Sequence, residues 1–349
     1  MPEPSRSAAA ATTDRVDAPA PSDDALTPPS EGELSATVVP DFVEEVELTS
    51  SSDGTGAVTA LTAGAPKRKR KYGPFFWLAA GWLLLLVVLA ITADWLPFVK
   101  DPQESFRSAL ARNSDGRVVA AQPSPEHWFG GDSDGRDLFS RVIYGARISL
   151  IVGVSSIAIG LAIGGTLGLI AGYFRGKTDT ILTAMANVML AIPPLILGLA
   201  LVAFLGQSLK TVITSLAIVS IPSLIRITRA ATLTFSQREF VMAARTLGAS
   251  HFRVLTREIL PNVVPPMASF ALLAIAVVIV AEGALSFLGL SVESPSVSWG
   301  GLIQGGRQQL DETPHVSLMP CAVMFVTLLA LNYVGDKMRA IFDVREVRL

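Results

Sequence analysis

Cysteine is all but missing from this chain. Cys321 is the sole one in 349 residues, so no intrachain disulfide framework can form. Histidine is nearly as scarce: His127, His251 and His315 are scattered and offer no pair at metal-ligand spacing. Charged residues make up only 17% of the chain, against roughly 25% in an average globular protein, which argues against an ordinary soluble enzyme. What fills the chain instead is apolar, since half of its residues are hydrophobic. The net charge of −2 hides two opposed pieces. Residues 1–66 carry twelve acids and two bases, whereas residues 67–349 carry 26 bases and 18 acids. An acidic tail precedes a basic, apolar body.

The tail is rich in Ala, Ser, Thr, Pro and acids and has no sustained apolar periodicity. It cannot bury enough apolar surface to offset the entropy of ordering, so residues 1–66 are expected to be disordered. Within them Val38–Leu48 mixes apolar and acidic side chains and reads either as solvated tail or as a short docking motif. Lys67–Lys71 (KRKRK) then abuts an uncharged run from Tyr72 to Ala93. About twenty helical residues at 1.5 Å each cross a bilayer core of roughly 30 Å. The run therefore reads as a first transmembrane helix at about 74–94. It is too long, and starts too late, for a cleaved signal peptide, and its position rules against a nuclear signal in the basic cluster.

Five further uncharged runs predict spans at about 148–173, 180–207, 210–226, 260–282 and 316–336. The fourth is short, but Lys210 and Arg226 at its ends can snorkel to the interfaces. The expected fold is all-α and polytopic, with six spans and both termini on one side. If Lys67–Lys71 is cytoplasmic, the inner segments collect 17 of the body's 26 bases and six acids, and the outer ones nine bases and eleven acids. The positive-inside rule then places both termini in the cytoplasm. It leaves an outer loop at 97–147 and a cytoplasmic loop at 227–259.

Two motifs tempt and fail. Gly172-Tyr-Phe-Arg-Gly176-Lys177-Thr178 has three residues between its glycines where a phosphate-binding P-loop has four, and it follows a membrane helix rather than a strand; a tight turn between spans is expected there. Asp132-Ser-Asp134-Gly135-Arg136-Asp137 looks like a calcium loop, but its glycine is fourth, not sixth, so a hydrogen-bonded turn is expected.

The cytoplasmic loop is more informative. Phe240, Ala243, Ala244 and Leu247 recur at i, i+3, i+4, i+7, one face of a short helix. Gly248 marks its C-terminus. Ser250 can cap a second helix whose Phe252, Leu255 and Ile259 share a face, ended or kinked by Pro261. The expectation is an L of two short amphipathic helices at the membrane surface, with small residues suited to docking another protein.

Here the residues match a family. Met242-Ala243-Ala244 with Gly248, then Glu258-Ile259-Leu260-Pro261 after nine residues, resembles the EAA loop of ABC importer permeases. The resemblance extends over residues 72–349. His127-Trp128-Phe129-Gly130-Gly131-Asp132, Gly135-Arg136-Asp137, Ala281-Glu282-Gly283-Ala284-Leu285-Ser286-Phe287 and Ser298-Trp299-Gly300 are similar to the dipeptide/oligopeptide branch. Met242 stands where the loop's eponymous acid would be, Asn187 where relatives carry Asp, and the acidic tail has no counterpart. The resemblance implies a permease subunit, not an enzyme, that carries peptides or, in relatives, nickel chelates or glutathione. It implies as partners a second homologous permease, two cytoplasmic ATPases and an external substrate-binding protein, besides membrane lipid. Neither a cofactor, a metal nor nucleic acid is expected. Met242, Ala243, Ala244, Gly248, Leu260 and Pro261 would couple to the ATPases. Trp128, Phe129, Asp132, Arg136 and Asp137 would face the binding protein.

Glu282 lies about twenty-one residues past Pro261, near the outer end of its span. An ionisable residue in a span is a functional candidate; gate or pathway residue and water-reaching helix-end anchor both fit. Glycines from Gly153 to Gly172 allow close helix approach, either as a sliding interface or as static packing. A secondary transporter is the rival class, but such proteins tend to show inverted repeats and midplane charges, and the sequence has no repeat and almost no charge in its spans.

Overall fold

The computed structural model of the chain describes residues 73–292 and 295–346. The acidic tail, Val38–Leu48 and Lys67–Lys71 lie outside the described residues.

Pro74 opens helix α1 (Pro74–Thr92), where its missing N–H costs nothing. The helix is apolar all round and buries only Leu86 and Ala90, as befits a helix facing hydrocarbon. A 3₁₀ turn, Ala93–Trp95, ends it. The segment that follows is built rather than loose. Strands β1 (Leu110–Arg112) and β2 (Val118–Ala120) pair antiparallel with Leu110 opposite Ala120. Their turn is closed by the Asn113 side chain, which accepts from the amides of Asp115 and Arg117 at 3.0 and 2.9 Å.

The helix expected from 148 begins at Leu138 instead. Asp137 caps it, its carboxylate accepting from the Ser140 amide at 2.8 Å. Arg141 and Arg147 interrupt the uncharged run but not the helix. Arg147 Nε donates to the Ala90 carbonyl of α1 at 2.6 Å and Nη2 to Asp94 at 2.9 Å. Helix α2 (Leu138–Gly160) passes through a π-helical turn, Leu161–Gly165, into α3 (Thr166–Phe174), one stretch of 37 residues.

The run expected as one span at 180–207 is two helices, α4 (Gly176–Ala191) and α5 (Pro194–Leu205), bent by 83°. Pro193 and Pro194 are the reason, since neither ring nitrogen can donate to the preceding turn. Helix α6 (Leu209–Phe235) outlasts its expected end at 226. Its basic side chains turn to α4: Arg229 pairs with Asp179 and Arg226 donates to Asn187 Oδ1 at 3.2 Å. Charge ended the hydropathy signal, not the helix. Beyond it come α7 (Glu239–Thr246), α8 (His251–Arg253), a π-helical turn (Val254–Ile259), α9 (Leu260–Phe287), α10 (Trp299–Gly306) and α11 (His315–Glu346). Among the described residues five stretches are long and apolar enough to cross a membrane, or six if α4 and α5 count as one.

Glycines set the close contact with α6. A Cβ added at Gly164, Gly168 or Gly172 would stand 2.8, 2.6 and 2.8 Å from the carbonyl oxygens of Ile221, Ile225 and Arg229 on α6. Backbone touches backbone along that line, so this stretch of the glycine stripe is packed against one partner helix. Two apolar clusters complete the interior. One joins α1, α2, α5, α6, α9, α10 and α11 around Val152, Ile279 and Trp299. The other gathers Tyr173, Phe235, Val241, Val254 and Ile259 under α7.

Candidate functional site

Helix α7 sits on the second cluster through Val241, which is fully buried, with Ala244 beside it. The face marked in the sequence, Phe240, Ala243, Ala244 and Leu247, is divided: Ala244 turns inward while the other three point away, Leu247 being 88% exposed. The one-residue offset has a simple cause. Val241 and Ala244 share the side that meets Val254 and Ile259, and a helix one turn from the bundle can bury only one narrow stripe. The outward residues, Phe240, Met242, Ala243 and Leu247, are joined by Phe252, which is 76% exposed.

Gly248 ends α7 with φ +80°. Its amide donates to the Arg245 carbonyl at 2.9 Å and the Ala249 amide to the Ala244 carbonyl at 3.0 Å, a Schellman-type closure. An added Cβ would meet nothing in this chain. Conformation demands the glycine, and the space outside it is open. Ser250 caps the next helix, accepting from the Arg253 amide at 3.4 Å. That helix is not the short second arm expected. It runs through the π-helical turn, past Leu260 and Pro261, as the start of a 37-residue stretch from His251 to Phe287. The wide turn absorbs Pro261, and Asn262 Nδ2 donates to the Glu258 carbonyl at 2.6 Å. Tyr173 hydrogen-bonds His251 at 2.8 Å while the Arg245 guanidinium lies 4.7 Å over the Tyr173 ring. The corner is thus pinned to α3. The corner brings together little chemistry; it presents an uncovered apolar surface fixed to the start of the α9 stretch.

Between α1 and α2, two acidic residues of the Gly130–Asp137 turn are drawn inward. Asp132 and Asp137 are turned inward and buried, so neither is presented to a partner. Asp132 accepts from the amides of Asp134 and Arg136 at 2.9 and 2.8 Å and pairs with Arg136 and Arg141, which makes the turn hydrogen-bonded. Asp137 Oδ1 lies 2.7 Å from His127 Nδ1, and His127 Nε2 lies 2.9 Å from Ser108 Oγ. The order is that of a hydrolytic triad. Yet Asp137 Oδ2 is committed to capping α2, and the Lys100 ammonium is 3.5 Å from His127 Nδ1. These contacts clamp the segment onto α2. Phe129 is partly buried against Phe139, and Trp128, 55% exposed, stacks on Phe98 and meets Phe139 at a tilt.

Glu282 does not reach water: it is fully buried. Ser286 and Ser291 each donate to Oε1 at 2.8 Å, and Ser149 donates to Oε2 at 3.3 Å. Sequence spacing hints at Ser286, four residues on, but nothing in the sequence reveals Ser149 or Ser291. Below this point a groove of about 690 Å³ opens between α2, α5, α6 and α9. Ser220 and Ser223 are the polar side chains among its lining residues, and no charged one lines it.

Residues 164–348 match the model of the binding-protein-dependent transport system inner membrane component. The chain belongs to this permease family. Over 268 residues, 76% of this chain and 86% of the relative, the permease is 38% identical to the glutathione transport system permease protein GsiD of Pectobacterium atrosepticum. It is 40% identical over 266 residues to GsiD of Escherichia coli O6:K15:H31, covering 76% and 84% of the two chains. Among solved structures the permease resembles the inward-facing methionine ABC transporter MetNI, with a TM-score of 0.50 and 18% identity, over 59% of this chain and 97% of that one. This last likeness concerns the fold alone. The permease is a membrane-embedded subunit of an ABC importer that works with a binding protein and an ATPase.

Proposed function

We propose that this permease carries short peptides inward as one half of a heterodimeric channel. Its partner is a second homologous permease, with two ATPase subunits at the cytoplasmic corner, a substrate-binding protein outside and both termini in the cytoplasm. The observation that carries the reading is the corner itself. Phe240, Ala243, Leu247, Gly248 and Phe252 are left uncovered on α7 and the head of the α9 stretch, while Val241, Val254 and Ile259 anchor that corner rigidly beneath. An apolar, small-residue surface fixed to a membrane helix suits a docking protein that pushes.

The mechanism is a difference in contact between two states rather than chemistry in this chain. ATP binding draws the ATPases together, the corner moves with them, and α9 carries the motion into the bundle. The groove beside α9 offers a peptide's charged ends no ionic partner, so it supplies passage and leaves selection to the binding protein. Similarity to the glutathione permeases puts glutathione first among the substrates to be tried; nickel chelates are the remaining option.

The test is reconstitution of the full chain with its co-expressed partners and binding protein, followed by uptake of labelled glutathione, di- and tripeptides and nickel chelates. ATP-dependent uptake of a peptide or glutathione is expected. Uptake of nickel chelates alone, or uptake without ATP, overturns the proposal.

A further inference from the structure

Apart from the coupling corner, the most elaborate polar construction inside the bundle is centred on Glu282. It gathers three separate parts of the chain. Ser149 comes from α2, Glu282 and Ser286 from α9, and Ser291 from the stretch leading to α10. The N-cap of α10 closes the set. Ser298 Oγ lies 3.2 Å from Ser286 Oγ and accepts from the Gly301 amide at 3.1 Å. Trp299, fully buried, donates its backbone N–H to Ser149 Oγ at 3.2 Å and its indole N–H to the Val142 carbonyl at 3.0 Å. Among the described residues no arginine, lysine or histidine pairs with Glu282.

A fully buried carboxyl group that accepts three hydroxyl donors from separate parts of the chain is placed to fix those neighbours relative to one another. Its position says which neighbours. Helix α10 is eight residues long and too short to cross a membrane, and its close contact with α9 needs Gly300, where an added Cβ would stand 2.6 Å from the Gly283 Cα. The same α9 stretch begins at His251, inside the coupling corner, and 37 residues at about 1.5 Å each make a rod of roughly 55 Å. One helix therefore holds the coupling surface at its head and the Glu282 cluster near its other end.

We propose that Glu282 is a positioning residue: the latch by which α9 holds α10 against α2, so that displacement of the coupling corner moves the outer mouth through α10. This rests on the permease reading above. It takes the place of the water-reaching anchor, since the side chain is fully buried.

The test uses the full chain in its assembled complex, with Cys321→Ser and spin labels at Gly305→Cys on α10 and Ile151→Cys on α2. Glu282→Ala is expected to broaden the α10–α2 distance distribution and lower uptake at least tenfold, while the complex still hydrolyses ATP. Glu282→Gln keeps a carbonyl oxygen for Ser286 and Ser291 and should retain at least a third of wild-type uptake with a narrow distribution. Normal uptake and an unchanged distance in Glu282→Ala overturn the latch, as does a Gln variant no better than Ala. If Glu282→Ala fails to assemble, Ser291→Ala, which removes a donor to Glu282 Oε1 and leaves the Trp299 amide bonded to Ser149, decides. A broadened distance with lowered uptake supports the latch, and unchanged values overturn it. A wild-type complex that imports no peptide, in which these variants still shift the α10 distance, refutes the permease reading and leaves the latch standing.

Discussion

At Gly248 two demands coincide in one residue. The left-handed φ of +80° closes α7, and a residue with a Cβ pays about 1 kcal/mol or more to adopt it. The outward side is bare, so a larger side chain meets only a partner. Gly248→Ala should therefore lower coupling partially. Gly248→Glu should abolish stimulation of ATP hydrolysis by the binding protein while membrane insertion, followed by protease protection, stays normal. Full stimulation in the Glu variant would remove the corner from the ATPase contact. Asp137 has a different kind of dual duty, as cap for α2 and partner for His127. Its replacement by Ala removes a cap worth about 1 kcal/mol and leaves His127 buried without that acceptor. Thermal melts of the detergent-purified complex should show a lower midpoint by several degrees, and an unchanged midpoint would argue against the clamp.

Between elements, the α3–α6 contact is where sequence economy is strictest. Gly168 lies against the Ile225 carbonyl and the Thr228 side chain, whereas an added Cβ at Gly165 would meet only Thr228 Oγ1 at 3.9 Å. Gly168→Leu should drive α3 off α6 and sharply reduce the yield of folded, monodisperse protein in size-exclusion chromatography. Gly165→Leu, three residues away on the same stretch, should leave the yield close to wild type. Equal loss in both variants would mean that the glycines act through helix flexibility, not through close approach. The Asp179–Arg229 pair ties α4 to α6 at a partly exposed position, where such pairs contribute modestly, so packing rather than charge is expected to hold this junction.

For the whole molecule, charge is divided unevenly along the chain. Residues 1–66 hold twelve acids and two bases immediately ahead of Lys67–Lys71. A tethered acidic segment has a high effective concentration near those bases, which would otherwise attract anionic lipid at about 1 kcal/mol per residue. Screening beyond about 8 Å at physiological salt keeps each contact weak. Deletion of 1–66 with Lys67–Lys71 kept should preserve insertion and leave substantial uptake. Neutral replacements of the acids should mimic the deletion, and high salt should blunt the difference. Loss of assembly on deletion would show that the tail is a structural element. The uncharged groove makes a second expectation at this scale. Ser223→Glu should slow uptake of anionic peptides more than of cationic ones, and equal effects on both would take the groove out of the pathway.

Much of this protein was written in composition and periodicity. Long uncharged runs require membrane helices because backbone polar groups in hydrocarbon must be satisfied within the segment, and those runs mark α1, α6, α9 and α11. Gly248 and Ser250 announce a helix stop and a helix start through local backbone chemistry, and the structure puts a φ of +80° at one and a cap at the other. Local signals of that kind act within four residues. Helix ends that depend on distant partners were hidden: Arg147 extends α2 because α1 offers it Asp94, and Arg229 extends α6 because α4 offers it Asp179. The side on which α7 packs was hidden too, since Phe240 and Val241 are equally apolar and only the geometry of α9 beneath selects Val241. The burial of Glu282 belonged wholly to tertiary structure. Two of its three donors lie 133 residues before it and nine after it, and only the packing of α2, α9 and α10 brings those hydroxyls within reach of one carboxyl group.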